Sequence, residues 1–98
     1  MYLEREIFHA KVGKAGQLVK LFKEIDKLTR GKKFKKARIL TDLSGRYWTV
    51  VFEREVKSLD GLAAETRNLG KNPKLKALFK EYHDLVEGGY RELYKIEQ

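Results

Sequence analysis

Segment 45–55, GRYWTVVFERE, constrains the fold of this 98-residue chain more than any other part of the sequence. It is typical of a β-strand, and it follows a turn signal at 43–45 and a second β-rich run at 37–43, so the two runs predict a central hairpin. Large side chains occupy both faces of the segment: Trp48, Val50 and Phe52 on one, and Tyr47, Thr49 and Val51 on the other. A sheet with one face in water would alternate apolar and polar residues. Something must therefore cover the second face, and a second copy of the chain is the simplest cover.

The composition predicts one globular domain over residues 1–98, near the lower end of sizes that bury an adequate core. Hydrophobic residues make up 42% of the chain and aromatic residues 11%, which excludes a disordered protein. Because cysteine is absent, disulfides and thiolate metal sites are excluded. We expect no signal peptide, no membrane partner and a cytoplasmic location. The abundance of Lys, Arg and Glu is similar to that of thermophile proteins.

The net charge of +8 is concentrated in one part of the chain. Residues 11–38 contain eleven of the 22 basic residues and two of the 14 acidic ones, which leaves +9 in that segment. Its densest part follows the first predicted helix and contains Lys27, Arg30, Lys32, Lys33, Lys35 and Lys36. These cations can be a solvated helix end that complements the helix dipole, or a basic patch for an anion or nucleic acid. Because no Arg-rich or Gly-rich binding motif accompanies them, the sequence favours the solvated surface.

Hydrophobic spacing predicts the element order β-α-β-β-α-β, with strands at 3–11, 37–43, 45–55 and 90–96. The first helix covers 17–29. Ser58 caps a second helix, which breaks and restarts at Asn72 and Pro73, and Gly88-Gly89 ends it. This order predicts a ferredoxin-like α+β fold, with a four-stranded antiparallel sheet, both helices on one face and the second helix broken.

Three stretches resemble the dimeric α+β barrel superfamily: residues 5–22 (REIFHAKVGKAGQLVKLF), residues 38–45 (RILTDLSG), and Asn72-Pro73 together with residues 85–94 (LVEGGYRELY). Two features are common in its NIPSNAP-like and small antibiotic-biosynthesis-monooxygenase-like members. One is a strand followed by Val-x-Pro/Lys-Gly and a helix, and the other is a helix that restarts at Asn-Pro. The resemblance covers nearly the whole chain. It implies a homodimer, or a higher oligomer, in which two sheets pack face to face. It also implies either a cofactor-free monooxygenase-like activity or none, since many members have no known activity.

The resemblance does not extend to the haem-degrading members, which carry an Asn on the first strand and a Trp and a His on the second helix. The first strand here has Phe8 and His9 but no Asn, and no Trp lies between Ser58 and Val86. His83 lacks those companions and is predicted to be solvated. With two histidines and no helical-spaced His pair, the sequence predicts no metal and no cofactor.

The second face of the predicted sheet gathers polar and aromatic side chains, whereas Trp48 is expected in the core with Val50 and Phe52. The second-face residues are Glu4, Glu6 and Phe8, then Arg38, Leu40 and Asp42, then Tyr47, Thr49, Val51 and Glu53, and finally Tyr90, Glu92 and Tyr94. The candidate ligand-binding residues are Glu6, His9, Arg38, Tyr47, Tyr90 and Tyr94. Tyrosine donors and an arginine suit an anionic or phenolic small molecule. The alternative is a packed interface with internal ion pairs, such as Arg38 with a carboxylate.

Two functions therefore stay open at this point. The first is binding or oxidation of a small organic molecule in a sheet-lined cavity. The second is a non-catalytic dimeric scaffold with a basic patch. RNA-recognition modules share the element order, but Thr49 stands where their third strand carries its central stacking aromatic. The sequence thus does not favour a nucleic-acid partner.

Overall fold

The computed structural model describes residues 1–29 and 36–98 and confirms the predicted ferredoxin-like α+β architecture. The elements are β1 (Tyr2–Ala10), α1 (Ala15–Thr29), β2 (Arg38–Thr41), β3 (Thr49–Val56), α2 (Leu59–Leu69), α3 (Pro73–Tyr82) and β4 (Val86–Lys95). The four strands form one antiparallel sheet in the order β2-β3-β1-β4, and the helices cover one of its faces. We call the other face the open face. None of the helices in the described ranges is long and apolar enough to cross a bilayer.

The predicted break in the second helical segment is confirmed, and both new helix starts carry the expected caps. The Ser58 hydroxyl accepts a hydrogen bond from the Gly61 amide at 2.9 Å. The Asn72 side chain accepts from the amides of Lys74 and Leu75 at 3.0 and 3.3 Å, with Pro73 in the first turn. These contacts satisfy amides that a helix start otherwise leaves without partners.

The start of the last strand was predicted wrongly. β4 begins at Val86, whereas the sequence predicts Gly88-Gly89 as a helix end and a strand from 90. Gly89 pairs with Phe8, and a Cβ there would overlap the backbone carbonyl oxygen of Ile7. Glycine therefore marks close approach of two strands here rather than a helix terminus.

The core lies between the helices and the sheet. Leu18, Leu21, Phe22 and Ile25 of α1 are buried there, and Val50 and Phe52 of β3 pack against them. Leu75 and Leu78 of α3 complete the layer. At the end of α1 the buried Asp26 carboxylate accepts the Ala37 amide at 3.0 Å, which holds the chain entering β2.

The predicted facing of the first strand is wrong. Phe8 packs on Phe22 of α1, and Glu4 and Glu6 share its side of β1, so all three face the helices rather than the open face. The prediction rested on polarity alone, by which carboxylates are not expected on a helix-covered face. Arg54, directly opposite Glu4, makes that placement possible.

Trp48 and Tyr47 also depart from prediction. Trp48 has a positive φ of 61° and is 38% exposed, so it is not a core residue. The left-handed residue interrupts the alternation before β3 begins at Thr49. Tyr47 accordingly lies in the β2–β3 turn, 82% exposed, and not on the sheet.

Candidate functional site

A cavity of about 160 Å³ lies between the sheet and the helices, and side chains from β1, β3, β4 and all three helices line it. Its lining has two parts. The first, which we call the aromatic wall, consists of Phe8, Phe22, Phe52, Phe79 and Tyr82. The second, which we call the charged cluster, consists of Glu4, Glu6, Arg54, Glu65 and Arg91. A mostly apolar cavity with a few convergent polar groups is the usual form of a small-molecule site.

The aromatic wall is a continuous chain of ring contacts. Phe52 meets Phe22 edge to face at 5.8 Å between centroids, and Phe22 meets Phe8 at 4.8 Å. Tyr82 then contacts Phe8 at 5.7 Å and Phe79 at 6.1 Å, both edge to face. These spacings are those of favourable ring pairs. The wall therefore joins β3, α1, β1 and α3.

Arg54 is the centre of the charged cluster. Its Nε donates to Glu4 Oε1 at 2.9 Å, its Nη1 donates to Glu65 Oε2 at 3.0 Å, and its Nη2 contacts the other Glu65 oxygen. Arg54 and Glu4 are both buried. Burial works to lower the pKa of Arg54, but the hydrogen bonds and charges of Glu65 and Glu4 outweigh it and raise that pKa. This bonded triad ties α2 to the middle of the sheet.

Glu6 is bonded differently from Glu4 and Glu65. It lies opposite Phe52 on β3 and Arg91 on β4, and in the described part of the chain no side chain donates a hydrogen bond to it. Burial, followed by the negative charge of Glu4, raises its pKa from 4.5 to about 7, against the opposing charges of Arg54 and Arg91. At neutral pH this carboxyl can both accept and release a proton, which general acid–base chemistry requires.

The remaining predicted site residues do not converge on this cavity. Arg38 lies on the open face and contacts Glu53, so the ion pair predicted for it is present. Arg5 Nε binds the same carboxylate at 2.8 Å. Burial works to raise the pKa of Glu53, but the hydrogen bonds from Arg38 and Arg5 outweigh it and lower that pKa.

His9, Tyr90 and Tyr94 also lie on the open face. The His9 ring is 6.1 Å from Tyr90, and the Tyr94 hydroxyl donates to Glu92 at 2.5 Å. Tyr90 and Tyr94 are largely exposed. A hollow of about 450 Å³ adjoins this face near Leu3, Arg38 and Ile96. These residues line a surface, whereas Glu6 alone of the six candidates lies in the cavity between sheet and helices.

The sequence interpretation missed Arg54, Glu65 and Arg91. A signal for part of the cluster was present, because β1 and β3 each contain Glu-Arg-Glu, at residues 4–6 and 53–55. In the observed antiparallel register Glu4 lies opposite Arg54, and Arg5 lies opposite Glu53. Each arginine therefore has a carboxylate as its cross-strand neighbour, on the helix-covered face for Arg54 and on the open face for Arg5. Recognition of that complementarity would have placed Glu4 and Arg54 together.

Four of the predicted basic-patch residues, Arg30, Lys32, Lys33 and Lys35, lie outside the described residues. Lys27 and Lys36, on either side of them, are exposed, and the anion-binding interpretation stays a prediction. His83 is exposed at the end of α3, as predicted. In residues 1–29 and 36–98 no group of three His, Asp or Glu side chains is placed to hold a metal ion.

Solved structures share this fold over the whole chain. A NIPSNAP domain protein from Burkholderia xenovorans superposes with a TM-score of 0.81 at 19% identity, covering 98% of this chain and 94% of that one. A NIPSNAP family protein from Agrobacterium tumefaciens gives 0.82 at 21% identity, with 98% and 87% covered. A proposed antibiotic biosynthesis monooxygenase from Deinococcus radiodurans gives 0.75 at 17% identity, with 100% and 94% covered. No family model matches the sequence, and no curated protein does.

These likenesses confirm the predicted resemblance at the level of the fold. The molecule is a ferredoxin-like α+β domain of the kind seen in NIPSNAP and monooxygenase-like proteins. Within that fold it holds an aromatic cavity with a carboxyl group of raised pKa.

Proposed function

We propose that the protein binds a small organic molecule in the cavity between its sheet and its helices, and that Glu6 exchanges a proton with it. One observation carries the proposal. A carboxyl group to which no described side chain donates a hydrogen bond lines a cavity that has five aromatic rings in its wall. A perturbed carboxyl in a cleft marks a candidate functional site. The bonded triad of Arg54, Glu4 and Glu65 supplies a fixed frame around it.

The size of the cavity limits the ligand. Its volume is about 160 Å³, and a dry cavity of about 150 Å³ can hold one benzene molecule. The ligand is therefore a molecule of one ring, or of similar bulk, with a short substituent that reaches Glu6. The aromatic wall provides the apolar contact, and Glu6 provides the polar one.

Calorimetric titration with benzyl alcohol tests the binding step. We expect Thr66→Phe to abolish binding, because Thr66 lines the cavity from α2 and a phenyl group there competes with the ligand. Ala63→Phe is the matched control, since Ala63 is an exposed residue of the same helix that does not line the cavity. Absence of binding of any one-ring molecule at millimolar concentration to the wild-type protein would contradict the proposal.

The finer proposal is that the bound molecule is oxidised by dioxygen, as the monooxygenase name of some structural neighbours suggests. Ionised Glu6 would remove the hydroxyl proton of a phenol, and the ring carbon opposite the hydroxyl would bond to one oxygen atom. Loss of the C–H proton with cleavage of the O–O bond then gives a quinone and one water, so that phenol and O₂ become benzoquinone and H₂O.

Oxygen consumption with phenol measures this step. Glu6→Gln should abolish it and His83→Ala should leave it unchanged, because His83 is exposed and does not line the cavity. Turnover lost only in His83→Ala would place the chemistry elsewhere.

A further inference from the structure

We infer that the molecule bound in this cavity carries a positive charge: the geometry points to an organic ammonium ion, paired with Glu6 and held against the aromatic wall. This inference rests on the binding part of the proposed function and does not depend on oxidation. It names the class of ligand from the charges and rings that line the cavity.

The charged cluster has one carboxylate more than it has cations. Three glutamates, Glu4, Glu6 and Glu65, face two arginines, Arg54 and Arg91. Arg54 holds Glu4 and Glu65 through hydrogen bonds, whereas Arg91 acts on Glu6 only through its charge. Among the residues that the structure describes, no bonded partner therefore neutralises an ionised Glu6. A partly buried carboxylate in that state is costly, and a bound cation would remove the cost.

The aromatic wall suits the same charge. Ring faces carry partial negative charge and attract ammonium and guanidinium groups. One member of the wall already does this, because the Arg54 guanidinium carbon lies 5.8 Å from the centroid of the Phe52 ring. An anionic ligand would meet the surplus carboxylate of the cluster, which repels it.

The affinity for a cation should follow the ionisation of Glu6. The charged or titratable groups around it are Glu4 on β1, Arg54 on β3, Arg91 on β4, Glu65 on α2 and Tyr82 on α3, while α1 lines the cavity with Phe22, Ile25 and Thr29. Because the pKa of Glu6 is about 7, its ionised form increases as the pH rises through neutrality. A primary ammonium, with a pKa of about 10 like that of lysine, stays charged over that range. Binding should therefore strengthen with pH.

Three probes of nearly equal shape separate the possibilities: benzylammonium, benzyl alcohol and benzoate. Titration calorimetry of the wild-type protein at about pH 5.5 and about pH 8.5 should show that benzylammonium binds most tightly at the higher pH. Its affinity should fall about thirtyfold at the lower pH, which is the fall in the ionised fraction of a group with a pKa of about 7. Benzyl alcohol should bind more weakly and with little change, and benzoate should be the weakest at the higher pH.

Glu6→Gln should remove the pH dependence and weaken benzylammonium about tenfold or more at the higher pH, since a charge-assisted contact is lost. Glu87→Gln is the matched control, because Glu87 is an exposed carboxylate outside the cavity lining. Benzyl alcohol binding as tightly as benzylammonium, or benzoate binding most tightly, would overturn the inference and leave the proposed function standing. Failure of all three probes to bind would overturn both. The comparison of the probes on the wild-type protein needs no variant, so it does not depend on how well Glu6→Gln folds.

Discussion

Glu6 is a candidate proton donor and acceptor, and when it is ionised it lowers the free energy of unfolding. It faces the helices beside Phe8 and Phe52. Arg54 donates a hydrogen bond to Glu4, but no arginine in residues 1–29 and 36–98 donates one to Glu6. The raised pKa is the measure of that cost, since one pKa unit corresponds to about 1.4 kcal/mol between the two protonation states. Functional sites commonly carry such locally unfavourable groups.

The stability of the protein should depend on pH through Glu6. Between its unfolded pKa of 4.5 and its folded pKa of about 7, the folded protein holds a proton that the unfolded chain releases. The contribution of Glu6 is therefore fully present below about pH 4.5 and is lost as the pH rises through about 7. The glutamine side chain of Glu6→Gln cannot ionise. The free energy of unfolding of this variant, taken relative to that of the wild-type protein, should therefore increase by on the order of 3 kcal/mol from about pH 4.5 to about pH 8. Urea unfolding at both pH values measures this gain.

Glu87→Gln again serves as the control and should show no comparable gain, because Glu87 is exposed. A stability difference between Glu6→Gln and wild type that stays constant with pH would show that Glu6 titrates normally in the folded protein.

Residue by residue, the sequence predicted Glu6 as a site residue but gave it the wrong neighbours. Simple alternation put the acidic residues of β1 on the open face, because a lone carboxylate is not expected on a helix-covered face. The compensation for Glu4 comes from Arg54, fifty positions along the chain. Cross-strand register, which decides that pairing, is not visible in either strand alone.

At the scale of elements, α2 depends on an ion pair as well as on apolar packing. Leu62 is buried and Leu59 is exposed, while Glu65, one turn further on, binds Arg54 of β3 through both carboxylate oxygens. Arg54 in turn binds Glu4 of β1. One arginine therefore connects a helix to two strands.

Arg54→Ala should lower the free energy of unfolding by about 3–5 kcal/mol, because it leaves the carboxylates of Glu4 and Glu65 without their cation inside the fold. Arg46→Ala, in the exposed β2–β3 turn, should change it by no more than about 0.5 kcal/mol. Denaturant unfolding compares the two variants, and amide exchange should show α2 losing protection first in Arg54→Ala. Equal effects of the two substitutions would mean that the triad adds nothing to stability.

The elements themselves were largely predictable, because caps and hydrophobic spacing act locally. Ser58, Asn72 and Pro73 gave the two later helix starts correctly. The start of β4 was wrong, since the reason for Gly89 lies in the neighbouring strand rather than in the adjacent sequence. The prediction that Trp48 faces the core was also wrong, because the left-handed backbone conformation of this one residue shifts the alternation of side chains between the two faces.

For the whole molecule, the open face is the surface that the sequence predicted a second copy would cover. It carries the apolar Ile7, Leu40 and Val51 around the ion pairs of Glu53 with Arg5 and Arg38. Leu40, Tyr90 and Tyr94 are exposed large side chains on this face. We propose that two open faces pack together in a homodimer, which buries these residues.

Leu40→Lys should convert that dimer to a monomer, because an ammonium group would be buried at the interface. Since Leu40 is 41% exposed in the single chain, its replacement should change the stability of the monomer little. Light scattering at micromolar concentration measures the mass, and the melting temperature of the wild-type protein should rise with concentration. Leu59→Lys is the control, because Leu59 lies on α2 and is about as exposed as Leu40. The Leu59→Lys protein should remain a dimer. A wild-type mass of 11.5 kDa at all concentrations would contradict the dimer.

The central position of β1 has a consequence for how the protein folds. Glu4 lies between Arg54 and Leu93, so both neighbours of this strand are distant in sequence. Of the strand pairings in the described residues, the β2–β3 hairpin alone is local. Closing such long loops costs entropy before any contact repays it, so we expect folding to be slower than that of a helical bundle of similar length. The cavity draws Glu6, Arg54 and Arg91 from β1, β3 and β4, so it exists only when all three strands have paired. A partly folded chain therefore presents no binding site, and a ligand can select only the finished sheet.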